Sequence, residues 1–262
     1  MHRIPHGRNT TENDKQPSVL CKPGLLSGSA DWIARVYLSR SRLWLANYRE
    51  SAWSRKSVTL NADKDKKAYW NNSFQEIGYY DTPALIDYIL STTSQEKLFY
   101  IGQSQGTTSF FVLTSIRPEY NEKVRLSVGL GPAAYFGHST YSLLYLLAKF
   151  VDRIETMISV IGSNSPAGSS FKQIQHYTQL LKSKRFCPYD YGEEINLEIY
   201  GQASPPEYEL NKITAPVAFY YGSEDYFCVQ GDIDQTASKL PNLVERKFMK
   251  GFSHTDVLWG TD

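Results

Sequence analysis

The sequence predicts an α/β fold, with a mostly parallel β-sheet that has helices on both of its faces. Short apolar segments alternate with segments whose apolar residues recur every three or four positions, which is the pattern of strands alternating with helices. The strand candidates are continuously apolar, which is typical of strands that are covered on both faces. A chain of 262 residues is long enough for one large domain, so we predict a single domain over 1–262.

Six segments are predicted as strands because each is brief, apolar and bounded by glycine, proline or charged residues. They are 18–21, 43–46, 98–101, 126–130, 217–221 and 244–249. Four segments carry apolar stripes at helical spacing. They are 81–92, 105–116, 141–161 and 170–182. The third of these helices interrupts the alternation of strands and helices, so we predict a cap inserted at about 136–190, over the C-terminal edge of the sheet.

Charge and cysteine content argue against several classes of protein. The chain has 28 basic and 27 acidic residues, so its net charge of +1 gives no reason to expect a nucleic-acid partner. Cys21, Cys187 and Cys228 show no metal-ligand spacing, so we predict no zinc site; their odd number leaves at least one free thiol and allows one disulfide. Four charged residues within 141–161 argue against a transmembrane span. No signal peptide is predicted in the chain as given.

The stretch KLFYIGQSQGTTSFF, at 97–111, places a serine between two glycines where a predicted strand ends and a predicted helix begins. This arrangement has the form of a nucleophile elbow, in which strained backbone lifts Ser104 above the end of the strand. The residues two before and two after it, Gly102 and Gly106, then approach too closely to carry side chains. The motif alone also fits an ordinary Gly/Ser turn, so the interpretation needs further catalytic residues.

A nucleophilic serine needs a carboxylate and a histidine, which follow an elbow serine in the order Ser, Asp or Glu, His. Only His254 of the five histidines lies beyond the last predicted strand. Asp225 follows the strand at 217–221, where an orienting acid is expected. Asp256 lies only two residues past His254, so we expect it to fix the histidine loop. Ser104, Asp225 and His254 are therefore the predicted triad.

Longer stretches covering most of the chain match one family pattern. They are GLLSGSADW (24–32), WLANYRESAWSRKSVTL (44–60), EIGYYDTPALIDYIL (76–90), EKLFYIGQSQGTTSFFVLTSIRPEYNEKV (96–124), SPAGSSFKQIQHYTQ (165–179), YDYG (189–192), YGQASPPEYELNKITAPVAFYYGSEDYF (200–227) and FSHTDVLWGTD (252–262). Through these stretches the chain resembles the acid lipases of the gastric and lysosomal type, alpha/beta-hydrolase lipases that are also abundant in insects.

The resemblance implies an alpha/beta-hydrolase fold with a reduced helical cap. It implies Ser104 as nucleophile, Asp225 as orienting acid, His254 as base, and an oxyanion hole formed by the backbone N–H groups of Leu25 and Gln105. The expected reaction is hydrolysis of acylglycerols or sterol esters in lipid catabolism, with neither a metal nor an organic cofactor. The expected partners are a lipid ester and a lipid–water interface. The location implied by the family is secreted or lysosomal.

The chain also departs from the family pattern. Pro23 and Gln103 each stand where the family usually has histidine, and Ala46 and Glu50 stand where it usually has glycine. The cap and the segment between the tryptophans at 32 and 44 are shorter. Two alternatives therefore stay open: a catalytically impaired relative or fragment that at most binds lipid, and another alpha/beta-hydrolase activity such as that of a peptidase or thioesterase.

Overall fold

The computed structural model describes residues 1–6, 16–33, 41–49, 51–139 and 169–260. The strands are β1 (His2–Ile4), β2 (Ser18–Lys22), β3 (Arg42–Leu45), β4 (Leu98–Gln103), β5 (Val124–Leu130), β6 (Val217–Glu224) and β7 (Leu243–Ser253). They form one sheet in the order β1-β3-β2-β4-β5-β6-β7. β1 runs antiparallel to β3, and all the other neighbouring strands are parallel.

The α-helices of the described residues are α1 (Lys66–Tyr69), α2 (Phe74–Glu76), α3 (Thr82–Thr93), α4 (Gln105–Ile116), α5 (Phe171–Ser183), α6 (Glu193–Tyr200), α7 (Gln230–Ser238) and α8 (Asp256–Trp259). Three short 3-10 helices, Ser29–Trp32, Pro118–Lys123 and Leu210–Lys212, and a π-helical turn, Ile77–Asp81, complete this part of the chain. None of the helices in these ranges combines the length and apolarity needed to cross a membrane.

The predicted parallel sheet is confirmed, and all six predicted strands are present with small shifts of their ends. The predicted helices 81–92, 105–116 and 170–182 correspond to α3, α4 and α5. β1, α6 and α7 are elements that the sequence interpretation missed. The predicted helix 141–161 lies outside the described residues, so the cap at 136–190 stays a prediction.

Both faces of the sheet are covered, as the continuously apolar strands predict. In β2, Leu20 belongs to the large core on one face, whereas Val19 and Cys21 belong to a smaller cluster on the other. The large core is built around α4, in which Phe110 and Phe111 are almost completely inaccessible to solvent. A helix buried on all sides holds the residue at its N-terminus rigidly in place, and that residue is Ser104.

The two glycines of the elbow are required by close packing between backbones. A Cβ on Gly102 would lie 2.6 Å from the carbonyl carbon of Gly106. A Cβ on Gly106 would lie 2.4 Å from the carbonyl oxygen of Lys22, at the end of the neighbouring strand β2. Neither contact can be relieved by turning a side chain, because backbone atoms lie on both sides. The elbow is therefore wedged between β4, α4 and β2.

We expect Gly102→Ala to destabilise the fold by about 2–3 kcal/mol, because the added methyl group forces α4 away from β4. Urea denaturation followed by circular dichroism measures this loss. Gly201→Ala is the matched control, since no atom lies within 4 Å of its Cβ position and its φ is 71°. This substitution should lower the free energy of unfolding by only about 1 kcal/mol, which is the cost of placing an alanine at positive φ. Equal losses at the two glycines would contradict the packing argument.

Candidate active site

Ser104 has the backbone geometry of a nucleophile elbow. It connects β4 to α4 with φ 51° and ψ −114°, a left-handed conformation that a residue with a side chain adopts only under constraint. The constraint comes from both sides of the turn. The Ser104 N–H donates to the Leu130 carbonyl of β5 at 2.9 Å, and the Ser104 carbonyl accepts from the N–H and the hydroxyl of Thr107 at 2.8 and 2.6 Å. The side chain is thereby held above the end of the strand.

Asp225 and His254 form a hydrogen-bonded pair. The Nδ1 atom of His254 lies 2.8 Å from Oδ2 of Asp225, whose side chain is buried. The other carboxylate oxygen, Oδ1, accepts from the backbone N–H groups of Phe227 and Cys228 at 2.9 and 2.8 Å. An ionised carboxylate only accepts hydrogen bonds, so Nδ1 carries the imidazole proton and Nε2 is left as the basic nitrogen.

The backbone of Gly131, just beyond β5, packs against both members of this pair. Its φ is +55°, and a Cβ there would lie 3.1 Å from Nδ1 of His254 and 3.2 Å from Oδ2 of Asp225. A side chain would therefore push the imidazole and the carboxylate apart. The sequence interpretation did not identify Gly131, although a glycine directly after a buried strand and before Pro132 is the kind of signal that could have found it.

Among the described residues, no hydrogen bond joins Asp256 to the imidazole of His254. Its carboxylate accepts a hydrogen bond from the Ser253 N–H at 2.8 Å, and contacts with Ser253 lower the pKa of Asp256 below its ordinary value. This agrees with the expectation that Asp256 fixes the histidine loop and that Asp225 is the acid that reaches His254.

The two predicted oxyanion-hole residues both lie near Ser104. Gln105 is the first residue of α4, where backbone N–H groups have no partner within the helix. Leu25 lies in the loop after β2 and lines the same cavity as Ser104. This loop packs tightly, because a Cβ on Gly24 would lie 2.1 Å from Oε1 of Gln103 and 3.4 Å from Cβ of Ser104.

Gln103 connects two loops of the site, a role that the sequence interpretation did not foresee. Its side chain contacts Gly24 through Oε1, and its Nε2 lies 3.5 Å from the backbone carbonyl of His254, at the limit of a hydrogen bond. The chain has glutamine here where the family pattern usually has histidine. The replacement therefore leaves a polar contact between the loop of Leu25 and the loop of His254.

Residues behind the Leu25 loop hold its base in place. The Tyr48 hydroxyl donates to the carbonyl of Pro23, and the ammonium group of Lys22 lies 4.6 Å from the centre of the Tyr48 ring. Lys22 is fully buried, and burial lowers its pKa to about 8. Pro23 stands at another family histidine, so in this chain a tyrosine hydroxyl is one of the groups that fix the backbone there.

A cavity of about 420 Å³ lies directly above Ser104. Ser104, Leu25 and His254 all line it, whereas Asp225 is behind His254; within the described residues no hydrogen bond joins Ser104 to His254. Long catalytic contacts are common in unliganded enzymes. The remaining wall is mainly apolar and is formed by Leu26, Ala133, Phe136, Ile174, Tyr177, Leu181, Phe227 and Cys228, with Gly24, Ser27, Gln103, Thr178 and Thr255.

One face of α5 supplies much of this wall. Ile174, Tyr177 and Leu181 are spaced three and four residues apart and point to the cavity together. Phe136 meets Tyr177 edge-on, with 5.7 Å between the ring centres. The sequence interpretation recognised this helical stripe as apolar, but it could not tell that the stripe borders a cavity.

Comparison with known proteins places the chain in a family. The family model described as serine aminopeptidase, S33, matches residues 63–257. Lipase 1 of Drosophila melanogaster is 32% identical, in a match covering 100% of this chain and 70% of the relative. The chain belongs to the alpha/beta-hydrolase family of acid lipases. The match with Lipase 1 extends over 317 residues although the chain has 262, so the relative contains segments that this acid lipase lacks.

Two further relatives support the same family. The human lysosomal acid lipase/cholesteryl ester hydrolase is 29% identical, over 100% of this chain and 80% of its own length. The gastric triacylglycerol lipase of Rattus norvegicus is also 29% identical, over 100% and 81%.

Solved structures confirm the fold of this acid lipase. A thermophilic esterase from Thermogutta terrifontis superposes with a TM-score of 0.58 at 12% identity, covering 98% of this chain and 86% of its own. A monoacylglycerol lipase from Paleococcus ferrophilus superposes with a TM-score of 0.55 at 17% identity, covering 97% and 90%.

Proposed function

We propose that this protein is a serine lipase that cleaves carboxylic esters of lipids, acylglycerols or sterol esters, with Ser104 as nucleophile. The observation that carries the proposal is the position of Ser104: a strained serine and a histidine bonded to a buried carboxylate line one apolar cavity. We prefer an active enzyme over a catalytically impaired relative, because Pro23 and Gln103, which depart from the family pattern, both make polar contacts at the site.

The proposed reaction has two steps. Nε2 of His254 takes the proton of Ser104 while Oγ attacks the ester carbonyl, and Asp225 stabilises the imidazolium that forms. The N–H groups of Leu25 and Gln105 donate to the oxyanion, at about 3 kcal/mol for each donor. His254 then protonates the leaving alkoxide, and a water molecule, activated in the same way, cleaves the acyl-enzyme. The apolar face of α5 binds the acyl chain.

Peptide cleavage is the second candidate, because the matching family model is described as a serine aminopeptidase. An enzyme that removes N-terminal residues must bind the ammonium group of its substrate, which calls for a carboxylate or other acceptors near the serine. The described residues that line the cavity include no aspartate and no glutamate. The lining favours an acyl chain, and the ester reaction is therefore the better fit.

The proposed lipid substrate also suggests where the protein works and what it contacts. A lipid ester is held in droplets, micelles or membranes, so we propose that the protein works at a lipid–water interface. A relative named as lysosomal, together with the gastric relative, supports an acidic lumen or a secreted location.

We expect a fluorophosphonate probe to label the folded protein at Ser104, because such probes react with serines activated by a histidine. Mass spectrometry of the digested protein identifies the labelled residue, and p-nitrophenyl esters of increasing acyl length should slow labelling by competition. Aminoacyl naphthylamides serve as the control substrates and should not compete. Absence of labelling in a folded sample, or competition by the naphthylamides alone, would reject the lipase proposal.

A further inference from the structure

Cys228 brings a third metal-binding donor to the Asp225–His254 pair. Three possible ligand atoms lie within 4.8 Å of one another: Sγ of Cys228, a carboxylate oxygen of Asp225 and a ring nitrogen of His254. The thiol is buried and contacts the Gly131 carbonyl at 3.2 Å. The proposed ester reaction does not use the thiol. The sequence interpretation found no metal-ligand spacing among the cysteines, because the three donors come from two loops that are 26 residues apart.

The three donors are chemically suited to a thiophilic divalent cation. Zinc binds thiolate sulfur, imidazole nitrogen and carboxylate oxygen at roughly 2.0–2.3 Å, which sets neighbouring donors roughly 3.4–3.6 Å apart in a tetrahedral site. The His254–Asp225 separation is 2.8 Å and the other separations are at most 4.8 Å. Movements of about 1 Å would therefore bring all three donors to one ion. Magnesium and calcium prefer oxygen ligands and do not fit this set.

An ion can reach the cluster through the substrate cavity. Cys228 and His254 both line it, and Leu26 and Phe227, which also line it, are 43% and 40% exposed. The cavity therefore extends to the surface of the described part of the chain. A water molecule from the cavity can supply the fourth ligand of the ion.

We propose that Asp225, Cys228 and His254 form an inhibitory binding site for Zn²⁺ or Cd²⁺. The ion replaces the proton on Nδ1 of His254 and binds the thiolate of Cys228. The thiol proton is released to solvent, and the proton from Nδ1 is transferred to Nε2, so that the imidazole stays neutral. Nε2 then donates a hydrogen bond and cannot accept the Ser104 proton. The bound metal therefore removes the basic nitrogen that the proposed reaction needs.

Metal binding is tested without catalysis, on the Ser104→Ala protein. We expect one equivalent of Cd²⁺ to bind and to give the ultraviolet absorption band of a cadmium thiolate. The further change Cys228→Ala should remove the band and weaken binding at least tenfold. Cys228→Ser, which keeps the size of the side chain, should behave in the same way if alanine disturbs the fold. Cys187→Ala, which removes another buried thiol, is the control and should leave the band unchanged.

Inhibition is tested separately, because it depends on the proposed role of His254 whereas binding does not. In protein with Ser104 present, Zn²⁺ should inhibit ester hydrolysis. The activity of each protein is expressed as a fraction of its own rate without metal. On that scale, Cys228→Ala should raise the Zn²⁺ concentration that gives half inhibition at least tenfold. His138→Ala removes a second His–Asp pair, with Asp232, and should not change inhibition. A cadmium thiolate band that survives in both Cys228 variants overturns the proposal, as does inhibition lost in His138→Ala. Binding without inhibition leaves the site in place and rejects the base role of His254.

Discussion

Replacement of Ser104 by alanine is expected to lower kcat for ester hydrolysis about 10⁶-fold, and replacement of Asp225 by asparagine about 10⁴-fold. The first change removes the proposed nucleophile. The second leaves the proposed nucleophile and base in the protein, and it acts through the proton on the imidazole.

The effect of Asp225→Asn follows from the hydrogen bonds of the carboxylate. Oδ1 accepts from the N–H groups of Phe227 and Cys228, so the amide oxygen of an asparagine must take that position. The amide NH₂ group then faces Nδ1 of His254, which has to become an acceptor. The imidazole proton moves to Nε2, and this tautomer cannot accept the proton of Ser104.

Steady-state kinetics on a soluble ester, with circular dichroism to confirm folding, measure both effects. Asp256→Asn is the matched control, because Asp256 lies two residues past His254 but accepts from Ser253. Its kcat should change only a few-fold. If Asp256→Asn were as damaging as Asp225→Asn, the acid would have been assigned to the wrong residue. If Ser104→Ala kept the activity of the parent, the lipase proposal would fail.

The positions of the three proposed triad residues could be predicted because each of them follows a strand. The carboxyl ends of parallel strands meet at one edge of the sheet, so Ser104 after β4 and Asp225 after β6 come close although 121 positions separate them in the sequence. Gly102 and Gly106 could be predicted for a similar reason, since the elbow geometry forbids side chains at both positions. Sequence patterns of single strands and turns were therefore sufficient to predict where these residues lie.

Contacts between loops could not be predicted, because no local pattern encodes them. The contact of Gln103 with two loops depends on the close approach of Gly24 and on the backbone of His254. β1 has only three residues, which are too few to show a period, and it is recognised only through its pairing with β3. The apolar stripe of α5 fits a core helix equally well, so the cavity beside it becomes visible only in the folded chain.

His176, on α5, is a second histidine whose environment the sequence could not reveal. It is completely buried and stacks on Phe74, with 3.9 Å between the ring centres. Its Nε2–H donates to the Cys187 carbonyl at 3.0 Å, and its Nδ1 lies 3.0 Å from the Ser73 hydroxyl. Burial lowers the pKa of His176 to about 3, with a further lowering by Lys172.

This depressed pKa makes folding stability depend on pH. The unfolded chain takes up a proton at His176 near pH 6.5, whereas the folded protein resists protonation until about pH 3. The unfolded state therefore binds more protons in this window, and stability falls as pH decreases through it. Between pH 7 and pH 5, where carboxylates titrate little, this one histidine should reduce the free energy of unfolding by about 2 kcal/mol.

Urea denaturation of the parent and of His176→Gln at pH 7 and pH 5 tests the prediction. Glutamine can still donate to the Cys187 carbonyl and accept from Ser73, but it does not titrate, so the loss of stability between the two pH values should shrink by about 2 kcal/mol. An identical loss in the parent and in His176→Gln would show that His176 is not responsible. Because α5 also carries Ile174, Tyr177 and Leu181 to the cavity, protonation of His176 should disturb this wall of the cavity.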